Sequence, residues 1–135
     1  MSWRGAVFLD KDGTVLRNEP YNVDPARMEL LPGAADGLRM IAQCGYRLVV
    51  VTNQSGVALG RFPEDALGSV ATRLKEMFIA ASSRLAAFYY CPHDPRGRIQ
   101  TYARQCDCRK PHPGLIWQAA RDLDIDVSSS WMIGD

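Results

Sequence analysis

The sequence of 135 residues lacks the features that mark membrane, secreted and nucleic-acid-binding proteins. No apolar run reaches the roughly 20 residues that a membrane-spanning helix needs, and the amino terminus has no signal-peptide pattern. The formal net charge is only +1, so no strong field favours nucleic acid or an anionic membrane. We therefore expect a cytoplasmic protein that binds neither. Small phosphorylated metabolites stay open as ligands, because local charges can capture them.

Internal repeats and low-complexity tracts are also absent, and cysteine is scarce at four residues. The composition is 47% hydrophobic and 23% charged, which is typical of a soluble globular protein. The length suits one domain rather than two, so we expect a single domain over residues 1–135. Cys44 stands alone near the end of an apolar helical stretch, which favours a small core residue at that position.

Four short apolar runs without polar alternation predict buried parallel strands. These runs are residues 6–9, 47–52, 86–90 and 131–133. Amphipathic stripes between them predict helices that begin near Pro32, Pro63 and Pro113. Strands that alternate with helices predict an α/β doubly wound parallel sheet, with its site at the carboxyl ends of the strands.

Polar side chains follow three of these predicted strands. Asp10 and Asp12 follow the first, Thr52 and Asn53 the second, and Asp135 the fourth. Two carboxylates one residue apart could bind a divalent cation and divide the roles of nucleophile and acid–base. An isolated Asp-x-Asp-Gly is as often an ordinary polar turn. Their expected convergence at one sheet edge favours catalysis.

Four segments resemble, in order, the four signatures of haloacid dehalogenase superfamily phosphatases. They are FLDKDGT at 8–14, TNQSG at 52–56, RKP at 109–111 and GD at 134–135, the start of the fourth. The resemblance implies a Rossmann-like doubly wound domain and a magnesium-dependent phosphatase. The connections 14–32 and 55–63 are short, so we expect no large cap domain.

The resemblance also assigns roles by position. It implies that Asp10 is the nucleophile and Asp12 the general acid–base, while Thr52 and Lys110 steady the transferring phosphoryl group. Mg²⁺ would be held by Asp10, by the backbone carbonyl of Asp12 and by Asp135. These roles agree with phosphoryl transfer, which needs positioning and charge neutralisation more than elaborate covalent chemistry.

Three cysteines and a histidine form two close pairs separated by a polar loop. They are Cys91, His93, Cys106 and Cys108. In a reducing compartment this spacing indicates tetrahedral zinc rather than disulfides, and four protein ligands leave no position for water. We therefore expect a structural zinc in the loop 91–108; free cysteines in a flexible loop are the alternative. The metal could also preorganise Arg109 and Lys110 towards phosphate.

Within the superfamily, residues 52–56, 89–93 and 106–114 are most similar to the D-glycero-D-manno-heptose 1,7-bisphosphate 7-phosphatases. That family resemblance implies hydrolysis of the 7-phosphate during synthesis of lipopolysaccharide core precursors. Histidinol-phosphate phosphatases share the acid pair and the zinc cluster but typically carry Asp where Ser55 stands. They remain an alternative, as does a broader sugar phosphatase. A zinc-stabilised binding module without catalysis is the alternative of another class.

Substrate contacts carried over by position come from two loops and one arginine. They are Asn18, Glu19, Pro20, Tyr21, Asn53, Gln54, Ser55 and Arg109. Arg109 suits the phosphate that is not cleaved, because a guanidinium can bind phosphate with two parallel hydrogen bonds. We expect a phosphorylated sugar as the partner, and a monomer.

The chain stops at Asp135, where the superfamily continues with a further acid, a helix, a strand and a closing helix. We therefore expect a truncated chain that lacks those elements. Its last strand would then be incompletely covered and would expose apolar surface.

Overall fold

The computed structural model describes residues 3–134 of the chain. Within that range the strands are β1 (Gly5–Leu9), β2 (Tyr46–Asn53), β3 (Leu85–Cys91) and β4 (Trp131–Ile133). They pair in parallel and form a sheet with the order β3-β2-β1-β4. All four predicted strands are confirmed, with bounds that move by at most one residue.

Three α-helices connect the strands in the described part of the chain. They are α1 (Ala34–Gln43), α2 (Leu67–Ala80) and α3 (Gly114–Leu123), with single 3₁₀ turns at Pro25–Arg27, Glu64–Ala66 and Val127–Ser129. None of the helices in residues 3–134 combines the length and the apolarity needed to cross a membrane.

The sheet has helices on both faces, as a doubly wound fold requires. Successive side chains of a strand point to opposite faces, so β1 contributes to two cores. Val7 and Leu9 pack in one cluster with residues of α1 and α2, while Ala6 and Phe8 pack in another with residues of α3. Both faces of β1 are buried, which explains its unbroken apolar sequence.

Two details of the helices differ from the sequence-based expectations. The second helix does not begin at Pro63, because that residue is extended and a 3₁₀ turn precedes the first α-helical residue, Leu67. Cys44 is exposed, so its prediction as a core residue is wrong. Helix α1 ends at Gln43, and Cys44 caps it beyond the apolar stripe that buries Leu38.

Strand β4 lies at an edge of the sheet and pairs with β1. Its three side chains are 42–62% exposed, in agreement with the incomplete cover expected for this strand. The backbone N–H of Asp10 donates to the carbonyl of Ile133 over 3.0 Å, so β4 also supports the first residue beyond β1.

Candidate active site

The acid pair lies at the carboxyl edge of the sheet. Strands β1 and β2 are neighbours with Leu9 opposite Val50, so Asp10 emerges beside the end of β2. The chain then turns tightly: the carbonyl of Lys11 accepts from the N–H groups of residues 15 and 16, and Gly13 has a φ of 83°. That left-handed conformation favours glycine, so the turn explains the glycine of the motif.

Each carboxylate of the pair has a lysine partner. Lys110 Nζ lies 2.8 Å from Asp10 Oδ1 and also donates to the carbonyl of Val51 over 3.0 Å. Lys11 Nζ lies 3.0 Å from Asp12 Oδ1, although Lys11 is only 3% exposed. A buried ammonium needs such a partner because leaving water is costly. The structure thus brings Lys110 to Asp10, and its role towards phosphate stays a prediction. Sequence reasoning missed Lys11, although its position between the two acids was a signal.

The side chains after β2 hold other site residues in place. Asn53 accepts from the backbone N–H of Lys110 over 2.9 Å and donates to its carbonyl over 3.2 Å. Gln54 is buried, and its Nε2 donates to Thr52 Oγ1 over 3.0 Å. Asn53 and Gln54 were predicted as substrate contacts, and their amides also orient the two predicted phosphate-steadying residues.

Arg109 joins the loop that follows β2 to the region of the zinc cluster. Its Nη1 donates to Ser55 Oγ over 2.7 Å and to the carbonyl of His93 over 3.2 Å, and its Nη2 lies 3.6 Å from Asp94 Oδ2. Asp94 is fully buried, and hydrogen bonds from Arg96 hold the pKa of its carboxyl below the ordinary value. Sequence reasoning missed Asp94 and Arg96, because a polar Asp-Pro-Arg turn carries no signal of what it faces.

A cavity of about 260 Å³ lies beside the acid pair. Its walls are formed by Lys11, Asp12, Asn18, Pro20, Tyr21, Asn22, Asn53, Gln54, Ser55, Gly56, Leu59 and Arg96. Six of the eight predicted substrate contacts are in this wall. Glu19 instead pairs with Arg27, and Arg109 reaches the wall through Ser55. Larger cavities of about 850 and 530 Å³ lie elsewhere, and neither is lined by an acid of the pair.

The zinc cluster converges as its spacing predicts. Its four ligand atoms lie within 4.8 Å of one another. The Cys91 Sγ lies 3.5 Å from Cys106 Sγ and 2.9 Å from Cys108 Sγ, and His93 Nδ1 lies 3.4 Å from Cys108 Sγ. Burial, assisted by the nearby charge of Arg104, lowers the pKa of His93 and so favours its neutral form. A histidine must be neutral to bind a metal. Three thiols and an imidazole are a donor set of structural zinc.

The acid pair offers the hard oxygen donors that magnesium prefers. Mg²⁺ is commonly held by one or two carboxylates and completes its shell with other oxygens, so the Asp10 carboxylate and the backbone carbonyl of Asp12 suit it. The third predicted ligand, Asp135, lies outside the described residues.

Comparison with known proteins identifies the family. The chain is 41% identical over 130 residues to the D-glycero-beta-D-manno-heptose-1,7-bisphosphate 7-phosphatase of Salmonella typhi, with 96% of this chain and 69% of the relative covered. The corresponding Escherichia coli K12 protein is 39% identical, with 96% of this chain and 68% of the relative covered. No family model matches the chain.

Two similar solved structures are also described as phosphatases. A Mesorhizobium loti protein described as a HAD-like phosphatase superposes with a TM-score of 0.89 at 32% identity, with 97% of this chain and 63% of that one covered. The D,D-heptose 1,7-bisphosphate phosphatase of B. bronchiseptica, complexed with magnesium and phosphate, gives a TM-score of 0.81 at 30% identity, with 97% of this chain and 70% of that one covered. The chain thus spans about two thirds of the proteins it matches. It belongs to the family of the D-glycero-D-manno-heptose 1,7-bisphosphate 7-phosphatases, within the haloacid dehalogenase-like phosphatases.

Proposed function

We propose that this chain is a magnesium-dependent phosphatase that hydrolyses the 7-phosphate of D-glycero-D-manno-heptose 1,7-bisphosphate. The observation that carries the proposal is the 2.8 Å contact between Lys110 Nζ and Asp10 Oδ1, two residues 100 positions apart in the sequence. This contact brings a positive charge to a carboxylate at the carboxyl edge of the sheet, where doubly wound folds usually carry their sites, and so supports the proposal. The names of the curated relatives supply the substrate.

The reaction proceeds through a phosphorylated aspartate. A carboxylate oxygen of Asp10 attacks the phosphorus, and the bond between phosphorus and the sugar oxygen breaks. Asp12 donates its proton to the departing oxygen and releases the sugar as an alcohol. Asp12, now ionised, takes a proton from water, whose oxygen attacks the phosphorus of the aspartyl-phosphate. Inorganic phosphate leaves and Asp10 is regenerated.

Positive charge makes the first step possible, because a carboxylate must approach an anionic phosphate. Lys110 supplies one such charge beside Asp10. Asp10, the backbone carbonyl of Asp12 and Asp135 would hold Mg²⁺, which would supply the remaining neutralisation. Thr52 offers a hydroxyl to the transferring group, and Gln54 holds that hydroxyl by a 3.0 Å hydrogen bond. Lys11 fixes the Asp12 carboxylate through its own contact of 3.0 Å.

The loops around the cavity recognise the sugar. Residues 18–21 and 53–55 contribute most of the predicted contacts, and six of these residues line the cavity of about 260 Å³. Tyr21 has a positive φ of 58°, and the guanidinium carbon of Arg61 lies 5.0 Å from the centre of its ring. Tyr21 is thus held in place at the wall of the cavity.

We extend the proposal to the setting of the enzyme. It contributes to the synthesis of lipopolysaccharide core precursors in the cytoplasm, where a reducing environment keeps the zinc-binding cysteines from forming disulfides. It acts as a monomer on a phosphorylated sugar, without nucleic acid or membrane as a partner. Residues 1–135 belong to a single phosphatase domain, and the loop 91–108 is a zinc-binding loop within it.

The test is phosphate release by the zinc-loaded protein with Mg²⁺, measured on heptose 1,7-bisphosphate and on histidinol phosphate. We expect the higher kcat/KM for the heptose and loss of release in Asp10→Asn. Asp36→Asn, an exposed aspartate on α1, is the matched control and should retain wild-type activity. Release that persists in Asp10→Asn would sink the nucleophile assignment. A folded, metal-loaded wild type that releases no phosphate from either substrate would favour the binding module.

A further inference from the structure

A fully buried carboxylate lies between two arginines at the edge of the substrate cavity. Asp94 is 0% exposed, yet its Oδ1 accepts from Arg96 Nε over 3.2 Å and its Oδ2 accepts from Arg96 Nη2 over 3.1 Å. The same Oδ2 lies 3.6 Å from Arg109 Nη2. A buried carboxylate is costly unless it is paired, and here two guanidiniums share it. Asp94 therefore fixes both arginines relative to each other.

Arg96 keeps hydrogen-bonding capacity for a ligand. Its side chain is 79% exposed although two of its nitrogens donate to Asp94. Within residues 3–134, its Nη1 donates to no protein atom. Arg96 also lines the same cavity as Asp12, Tyr21 and Ser55. An oriented guanidinium with unused donors thus faces the space where the substrate is expected.

The backbone under Arg96 is held by contacts that do not involve the zinc ligands. Its N–H donates to Asp94 Oδ1 over 2.9 Å, and the N–H groups of residues 98 and 99 donate to the carbonyl of Ala58 over 2.7 and 3.0 Å. At Gly97, a Cβ would come within 2.9 Å of that carbonyl oxygen, so only glycine allows this approach. The turn therefore sits directly on the loop that follows β2.

The charges of this group favour an anion. Two guanidiniums face one carboxylate, which leaves one positive charge in excess at the cavity wall. Arg109 directs its other terminal nitrogen to Ser55 Oγ over 2.7 Å, and Ser55 lines the cavity too. Guanidiniums bind phosphate through paired hydrogen bonds that match its oxygens.

Building on the proposed function, we propose that Arg96 binds, together with Arg109, the phosphate of the sugar bisphosphate that is not cleaved, and that the buried Asp94 positions both arginines. Arg96 is then a specificity-determining residue, because it makes the enzyme prefer a bisphosphate to a monophosphate. Asp94 is a positioning residue that acts through the two guanidiniums. The competing explanation is an ion pair that only ties the loop to the sheet.

The test compares two substrates that share the cleaved group. The zinc- and magnesium-loaded protein is assayed on heptose 1,7-bisphosphate and on heptose 7-phosphate, which lacks the second phosphate. In Arg96→Gln we expect the ratio of the two kcat/KM values to fall about 10- to 100-fold, the loss expected for a hydrogen bond to a charged group, mainly through KM for the bisphosphate. Arg98→Gln, an exposed arginine of the same loop, is the matched control and should preserve the ratio.

Asp94→Asn separates positioning from simple loop stability. It keeps the shape of the side chain but removes the charge that holds both guanidiniums, so we expect the same ratio to fall about tenfold. Zinc content and Tm, measured in parallel, report the state of the loop. Should this variant not fold, Arg96→Gln still decides the question. A ratio that stays at the wild-type value in Arg96→Gln, or an equal loss on both substrates, overturns the proposal.

A binding measurement separates this proposal from the proposed function. Heptose 1-phosphate, the product that keeps the uncleaved phosphate, is titrated into the protein by calorimetry. We expect Kd to rise about tenfold or more in Arg96→Gln and to be unchanged in Arg98→Gln, whether or not the chain turns over substrate. Equal affinities in all three proteins would overturn the role of Arg96 even if Asp10→Asn had already established the phosphatase. Loss of affinity in Arg96→Gln alone would support it even if catalysis had failed.

Discussion

The acid pair and the zinc loop hold their functional groups in opposite ways. Asp10 follows β1, which lies inside the sheet and is buried at every residue. In contrast, none of residues 95–107 in the zinc loop is buried, and most of them are exposed. The first region is fixed by the apolar core on both faces of the sheet. The second is fixed by its four candidate metal ligands and by individual hydrogen bonds.

The two regions meet at Lys110. Its Nζ belongs to the acid pair through Asp10, while its backbone follows the last two zinc ligands by four and two residues. Asn53 is hydrogen-bonded to both backbone groups of Lys110 and so joins the end of β2 to the end of the zinc loop. The comparison teaches that a rigid sheet holds Asp10, the proposed nucleophile, whereas Lys110 beside it is held by a polar loop that needs its own fixed contacts. The predictions below test that division.

The largest effect is expected when the cation at the junction is removed. Lys110→Met deletes the charge beside Asp10, and we expect kcat to fall about a hundred- to a thousandfold, because such charges stabilise the transferring phosphoryl group. Steady-state kinetics measures this, with Lys75→Met, the exposed lysine of α2, as the control that should retain activity. A loss of less than tenfold would mean that the contact with Asp10 mainly ties the loop to the sheet.

Removal of the zinc should affect the loop and, through it, the acid pair. In Cys106→Ser we expect loss of zinc, a drop of several kcal/mol in the free energy of unfolding, and a fall of about 10- to 100-fold in kcat/KM. Zinc analysis, denaturant unfolding and kinetics check the three parts. Cys44→Ser is the control, because Cys44 is exposed and lies outside the cluster. Protein that is verified to be zinc-free but has unchanged kinetics would break the link between the two regions.

A smaller effect is expected when Lys110 loses the hydrogen bonds that its backbone makes with the side chain of Asn53. Asn53→Ala removes hydrogen bonds of 2.9 and 3.2 Å to the backbone of Lys110, and we expect kcat to fall about tenfold. Zinc content should not change, because Asn53 is not a zinc ligand. Kinetics and zinc analysis on the same preparation separate this result from that of Cys106→Ser. If zinc were lost as well, these hydrogen bonds would belong to the loop and not to the active site.

The same contrast explains how far the sequence alone was sufficient. The strands and the position of Asp10 at the end of β1 were predictable, because unbroken apolar runs report burial on two faces and the acids directly follow such a run. The zinc ligands were predictable from spacing. Arg96 was not, because its place depends on a turn that docks on Ala58, a contact between loops that no local pattern encodes. Cys44 was misassigned because an apolar stripe does not tell at which residue the helix ends.

The smallest expected effect is on stability alone and concerns Glu64, which contacts the zinc loop through Tyr102. Glu64 accepts hydrogen bonds from Tyr90 Oη over 2.8 Å and from Tyr102 Oη over 2.9 Å, and so joins the 3₁₀ turn before α2 to β3 and to the zinc loop. Glu64→Gln keeps the shape but weakens both bonds, so we expect a loss of about 1–2 kcal/mol in the free energy of unfolding.

Urea unfolding of Glu64→Gln measures that loss against Glu76→Gln, an exposed glutamate of α2 that should be neutral. We expect kcat/KM to stay near the wild-type value, because Glu64 lines a different cavity from the acid pair. A fall in kcat/KM without a change in stability would show that this side of the loop also positions the active site. The contact of Glu64 with Tyr102 would then support catalysis as well as stability, as the contact of Asn53 with Lys110 is expected to do.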